Sequence, residues 1–483
     1  MALGPPQPPN PREPVPAVPP VGKADGSPLR YGGLKAAPAP ILVCYIIYYV
    51  RNILYNYSSK KGVKMKYRNI VFTTISILIF LIFVSCPGGE KEVDLESEAK
   101  EIHESVLTVD SHCDTPLMML RGEWDIGIRH EPTQRRSGKI DLPRMKEGGI
   151  DAAFFAVFVG QGERTSQGYE KARERAQDLL SLIHKMGQDY PDLVELATTS
   201  EDAYRLEREG KRAIFIGMEN GYPIGQNLSL VSEYFKQGVR YITLCHSQDN
   251  DICDSSTDRR NPEDNGLSEF GKQVVAECNR LGIMIDLSHV SDKSFFDVLK
   301  VTKAPVIASH SSIRALCDHP RNLSDEMLKA LAGNGGVIQI CFVSSFLRKP
   351  TPNPERDKAL AELRDKYGSW SNIKDEAQME RMYQEYEKIS DEHPEDKATV
   401  EEIVNHIDYA VRLIGVDHVG IGTDFDGGGG VEGCDDVSQM PEITKELLRR
   451  GYSEEEIEKI WGGNLMRVFQ KVADLAEEFQ TPD

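Results

Sequence analysis

From about residue 100 onward, short runs rich in β-branched and aromatic residues alternate with longer stretches whose apolar positions recur at helical spacing. The runs VLTVD (106–110), DAAFFAVFV (151–159), AIFIG (213–217), RYITLC (240–245), IMIDLS (283–288), PVIAS (305–309), GVIQICF (336–342) and HVGIGT (418–423) read as strands. Between them, YEKARERAQDLLSLIHKMG, LSEFGKQVVAECNRLG and SDKSFFDVLKVT read as amphipathic helices. Strands alternating with helices predict an α/β domain with a parallel sheet, and eight of them predict a closed (β/α)8 barrel of the TIM type. The domain is expected over residues 101–478, with the charged, helix-like segment 350–400 inserted between strands seven and eight.

The chain upstream reads differently. Residues 1–64 begin with a stretch crowded with proline, alanine and glycine, which buries too little to offset the entropy of ordering; a disordered leader is expected, or a start placed too early. The run ILVCYIIYYV is too short for a membrane span, which needs about 20 residues. From Met65 the order is basic, apolar, then Cys86 and a polar tail, as in a secretory signal. A cysteine directly after the apolar run is similar to a bacterial lipoprotein signal, although Phe83 and Val84 stand where leucine and a small residue are usual. Segment 65–86 is therefore expected to export the protein and tether it by lipid at Cys86, at the periplasmic side or cell surface, with 87–100 as a linker; an uncleaved anchor helix is the alternative.

A formal charge of −19 argues against a nucleic-acid binder, which presents a basic patch. Nine cysteines without a CxxC pair resemble neither a disulfide framework nor a structural zinc site.

In a barrel of this kind, chemistry sits at the C-terminal ends of the strands. There the chain places His112 and Asp114 (strand one), Glu219 (three), His246 (four), His289 (five), His310 (six) and Asp424 (eight). Any one of these is ordinary for a loop; seven on six strand ends are not. The other histidines, His103, His130, His184, His319, His393, His406 and His418, fall in helices, loops or at a strand start and receive no role. Imidazole and carboxylate suit zinc, and without thiolates the site is open rather than closed. The HxD spacing turns His112 and Asp114 to the same side of an extended chain, so they can hold one ion together. His289 and His310 can hold another, and Glu219 has two oxygens with which to bridge a pair. Asp286 can orient a ligand from behind or serve as a buried structural carboxylate. Asp426 and the glycines after it read as a turn, since no P-loop lysine follows.

The motifs VDSHCDTP, GMENG, YITLCHSQDN, GLSEFGKQVV, IDLSHVS, PVIASHSS, HPRNLSDE, GIGTDFDG and GGNLMRVF occur in that order. On them the chain resembles the membrane dipeptidase (renal dipeptidase) family of the amidohydrolase superfamily, over about residues 100–475. The resemblance implies two Zn2+ ions: His112 and Asp114 on one, His289 and His310 on the other, Glu219 bridging. It implies a dipeptidase in which a metal-bridging hydroxide attacks the peptide carbonyl, His246 contacts that carbonyl, Asp424 moves the proton and Arg321 holds the substrate's terminal carboxylate. Asp114 is also the expected partner of the substrate's amino group. Without the resemblance, Arg321 would read as a surface residue paired with Asp318 or Asp325. Partners are expected to be small dipeptides, a membrane through the N-terminal signal, and a second copy in a homodimer.

Two rivals remain. Another amidohydrolase-superfamily enzyme, such as a deaminase, an amide or lactam hydrolase or a phosphotriesterase, is disfavoured because such relatives commonly carry HxH on strand one, and some a carbamylated lysine on strand four. A silent peptide-binding lipoprotein is disfavoured by the intact Asp424 and the full ligand set.

Overall fold

The computed structural model describes residues 95–480, apart from 121, 123, 133–136, 261–264 and 369–375. The expected leader (1–64), the expected export signal (65–86) and residues 87–94 of the expected linker lie outside the described residues, while the linker's last residues, 95–100, belong to the helix Leu95–Ser105. The chain divides into Met1–Glu90 and Lys91–Asp483, and everything below concerns the second unit.

Among the described residues, nine parallel strands form one sheet: β1 Val109–Cys113, β2 Ala152–Phe158, β3 Val194–Leu196, β4 Arg212–Glu219, β5 Val239–Thr243, β6 Met284–Asp286, β7 Ile307–Ser311, β8 Val337–Ile340 and β9 Val419–Ile421. Eight follow the order β1-β2-β4-β5-β6-β7-β8-β9, while β3 pairs with β4 off that path. The fold is a TIM barrel whose seam lies between β9 and β1. There Asp114 N donates to Phe425 O at 2.8 Å and Asp424 N to His112 O at 3.0 Å, just past the end of β9. Asp110 reinforces the seam, accepting from Thr423 N at 2.9 Å and Thr423 Oγ1 at 2.6 Å.

Two details differ from the strand expectations. The first strand runs from Val109 rather than Val106, so His112 lies within it; Val106 N still bonds to Ile102 O, and Thr108 is held by Asp151. Three-residue β3 was not expected, because so short a run leaves no periodic signal.

Barrel strands are buried on both faces, so one parity packs under the helices and the other fills the interior. Val109, Phe154, Phe215, Tyr241, Ile307 and Val337 form the inner cluster, which the closing helix Asn464–Gln480 joins through Leu465 and Phe469. Its aromatic rings stack tightly, with Phe154 and Phe215 centroids 4.7 Å apart and Phe469 edge-on to Phe215 at 5.7 Å. This layer floors the site above it. Helices that return the chain begin at serine or threonine caps, as where Ser268, Ser291 and Ser324 accept from Gly271, Ser294 and Met327 amides.

Between β8 and β9 lie the helices Ser344–Leu347, Pro354–Tyr367, Glu376–Glu392 and Val400–Ile414. The middle two share a small apolar cluster of their own around Leu363 and Met382. Beside them is a cavity of about 1060 Å³, lined by Tyr386 and Ser390 of the insertion and by Lys139 and Gly427–Gly430 of the barrel loops.

Candidate metal centre

Glu219, the last residue of β4, stands at the middle of the open end of the barrel and is 2 % exposed. Its two oxygens face different groups. Oε2 lies 3.5 Å from His112 Nε2. Oε1 lies 3.1 Å from His289 Nε2, 3.5 Å from His310 Nε2 and 3.6 Å from His246 Nε2. On the His112 side, Nε2 is also 3.7 Å from Asp114 Oδ2 and 3.9 Å from Asp424 Oδ1. Three overlapping sets have ligand atoms close enough to share an ion: His112, Glu219 and His310; Glu219, His246 and His289; and His112, Asp114 and Asp424.

The backbone is bent to make this convergence. Asn220, His289, Asp424 and Asp426 all have positive φ, at 77°, 70°, 56° and 66°. That conformation is costly outside glycine and concentrates at functional sites. Gly427 removes the last obstacle, since a β-carbon there would lie 2.1 Å from Asp114 Oδ2 and 2.2 Å from Asp424 Oδ1.

Electrostatics follow from burial among like and unlike groups. Burial pushes the Glu219 carboxyl up, but the charge of His112 and the imidazoles of His289 and His310 beside it outweigh that and hold the group well below the usual range. Asp424 goes the other way: burial, Asp114 and Glu219 raise it well above, against the pull of His112 and Arg321. Burial also lowers His246 and His289.

Behind the His112 and His310 rings stand hydroxyl groups. His112 Nδ1 lies 2.7 Å from Tyr241 Oη, and His310 Nδ1 lies 2.8 Å from Ser309 Oγ. Ser309 Oγ in turn donates to Asp286 Oδ2 at 2.7 Å. Asp286 thus reaches the His310 ring through Ser309, and it ties β5 to β7 through Thr243 Oγ1 and Ser309 N. On the Glu219 side, Asn250 Nδ2 donates to Asn220 Oδ1 at 3.1 Å and to Leu244 O at 2.8 Å, joining the ends of β4 and β5. Sequence reasoning assigned no role to Tyr241, Ser309, Asn220 or Asn250. Tyr241 left one signal, a tyrosine on a barrel strand whose buried hydroxyl must find a partner.

Arg321 reaches the same site from the loop after β7. It is 5 % exposed, donates from Nη2 to His310 O at 3.0 Å and lies over the Phe346 ring. No acidic side chain among the described residues forms an ion pair with it; Asp325 instead accepts from Tyr409. Its Nε has no hydrogen-bond partner.

Residues 96–483 match the model of the membrane dipeptidase family, peptidase family M19. The chain is a metallo-dipeptidase of this family. Dipeptidase tcpJ of Claviceps purpurea is 34% identical over 374 residues, covering 76% of this chain and 77% of that protein. Human (Homo sapiens) Dipeptidase 3 is 32% identical over 404 residues, covering 82% of this chain and 71% of that protein. Among solved structures, the probable dipeptidase PvdM from Pseudomonas aeruginosa superposes with a TM-score of 0.67 at 34% identity, covering 80% of this chain and all (100%) of that one. The barrel carries every strand-end residue named from the sequence into one cluster, in which His246 and Asp424 are partly exposed and the rest buried.

Proposed function

We propose that this dipeptidase works with two zinc ions, His112 and Asp114 holding one, His289 and His310 the other, and Glu219 between them. The observation that carries the reading is the division of Glu219: one oxygen faces His112 and the other faces His289 and His310. The donor set fits the metal, being imidazole and carboxylate without thiolate. Cys113, between His112 and Asp114, turns its sulfur toward Phe154 O instead. Two buried ligand atoms, His112 Nε2 and Asp114 Oδ1, have no hydrogen-bond partner, which is costly unless something binds them. When bound, the ion pair supplies Lewis acidity and a hydroxide at neutral pH, by lowering the pKa of a shared water.

The chain's own groups do the rest. Asp424 is within 3.9 Å of His112 and accepts the proton of the attacking water, then returns it to the amine as the C–N bond breaks. His246, held neutral by burial, donates from Nε2 to the carbonyl oxygen as negative charge grows there. Arg321 is a buried cation with no ion-pair partner among the described residues, and a substrate carboxylate supplies one. Its fixed distance from the ligands measures one residue beyond the scissile bond, which selects dipeptides. Asp114 is the proposed partner of the substrate's amino group. Screening L,L and L,D dipeptides with zinc-restored protein tests this: hydrolysis that disappears with the metal supports it, and no turnover of any dipeptide refutes it.

We propose further that segment 65–86 exports the protein and that Cys86 anchors it in a membrane. Cys86→Ser should abolish lipid labelling and leave the segment uncleaved; labelling that persists in the variant refutes the assignment.

A further inference from the structure

Tyr241 of β5 lies beside Gly217 of β4 in the parallel register, wholly buried in the inner cluster. A β-carbon on Gly217 would stand 2.0 Å from Tyr241 Cζ and 2.4 Å from its hydroxyl oxygen, so the bare glycine makes room for the ring. The ring packs on Phe154, with centroids 5.4 Å apart. It is the polar member of an otherwise apolar aromatic layer, and among the described residues its hydroxyl bonds to His112 Nδ1 alone, at 2.7 Å.

A neutral imidazole has one N–H, and the two nitrogens of His112 face unlike surroundings. Nε2 faces the carboxylates of Asp114, Glu219 and Asp424, and Nδ1 faces the phenol. If Nε2 gives its lone pair to a cation, Nδ1 must carry the hydrogen, and the phenol oxygen accepts it. If no cation is present, a hydrogen on Nε2 satisfies the carboxylates, and the phenol O–H donates to Nδ1. A hydroxyl serves both states because it donates and accepts; a carbonyl or carboxylate would serve only the first. His310 is arranged otherwise. Ser309 gives its hydrogen to Asp286, so its oxygen can only accept from His310 Nδ1, and His310 Nε2 keeps its lone pair toward the centre.

We infer that Tyr241 is a positioning residue for His112: it fixes the ring's orientation while allowing the proton to change nitrogens as metal is gained and lost. The inference rests on the reading of His112 as a zinc ligand. Partners of this kind are worth about 10- to 100-fold in metal affinity.

The test is Tyr241→Phe in the full chain, which keeps the ring and removes the oxygen. Zinc binding is measured by competition with a chelator, the centre's geometry by the visible spectrum of the Co2+-substituted protein, and the fold by melting of the metal-free form. Wild type should take up two equivalents. In the variant one equivalent should weaken about 10- to 100-fold with an altered Co2+ spectrum, while the other equivalent and the metal-free melting stay as in wild type. Two equivalents of unchanged affinity in Tyr241→Phe would overturn the inference about Tyr241 alone. Equal weakening of both, with a lowered metal-free melting temperature, would overturn it as well, showing general damage. A wild type that binds fewer than two equivalents would overturn the two-ion reading beneath it, whatever the variant does.

Discussion

Gly427 leaves open the space that Asp114 occupies: a β-carbon on it would fall 2.1 Å from Asp114 Oδ2. Its φ is not positive, so alanine suits the backbone and the clash is with the carboxylates alone. Overpacking of this kind costs about 1–3 kcal/mol, and the strain would fall on the Asp114 and Asp424 side chains because Asp424 O accepts from the amides of Gly427, Gly428 and Gly429 and pins the glycine turn. Gly427→Ala should therefore lower metal affinity and turnover at least tenfold with little change in the melting of the metal-free protein. Full activity and metal content in that variant would show that the carboxylates can yield.

Asp424→Asn separates proton transfer from assembly. Asparagine tolerates the positive φ of 56° at this position, so the loop should persist. Zinc content should stay and the hydrolysis rate fall by about 10² or more. An unchanged rate would remove Asp424 from the chemistry.

Arg321→Met tests how the enzyme measures its substrate. A charged hydrogen bond is worth about 1.5–3 kcal/mol, so KM for a dipeptide should rise about tenfold or more while metal content is unaltered. A dipeptide amide, lacking the carboxylate, should be a poor substrate of wild type and lose little further. Equal losses on acid and amide would show that the guanidinium does not read the carboxylate.

His103, given no chemistry, sets a pH dependence of stability instead. Its ring lies between Thr444 Oγ1 at 2.7 Å, Gly148 O at 2.9 Å and the edge of Trp461. Burial lowers it from 6.5 to about 4, against the raising effect of the Gly148 carbonyl. The unfolded chain then binds the proton that the folded one refuses, so stability is full above pH 6.5 and falls as pH drops toward 4. The full difference is about 3 kcal/mol. Urea unfolding of the metal-free protein at pH 7 and pH 4.5 should show a smaller loss in His103→Gln than in wild type; an equal loss would assign the pH dependence elsewhere.

The barrel and the cluster at its strand ends were legible because each rests on a local pattern: apolar runs mark the strands, and a histidine or acid follows where a run stops. What lay hidden depends on contacts across the sheet. Tyr241 sits 129 positions from the His112 ring it supports, and Gly427 looks like any turn glycine until Asp114 is placed against it. The burial of Arg321 was equally invisible, since a lone arginine between Asp318 and Asp325 reads as a surface ion pair. Strand β3 was missed because three residues carry no period.

The central claim is that one carboxylate joins two metal sites, and Glu219→Gln tests it most directly. Glutamine keeps the shape and one acceptor oxygen but loses the charge that both sites share. Zinc counted by elemental analysis on purified variant, beside turnover of a dipeptide, should fall well below two per chain as activity disappears. Two zinc ions per chain with full activity would contradict the account.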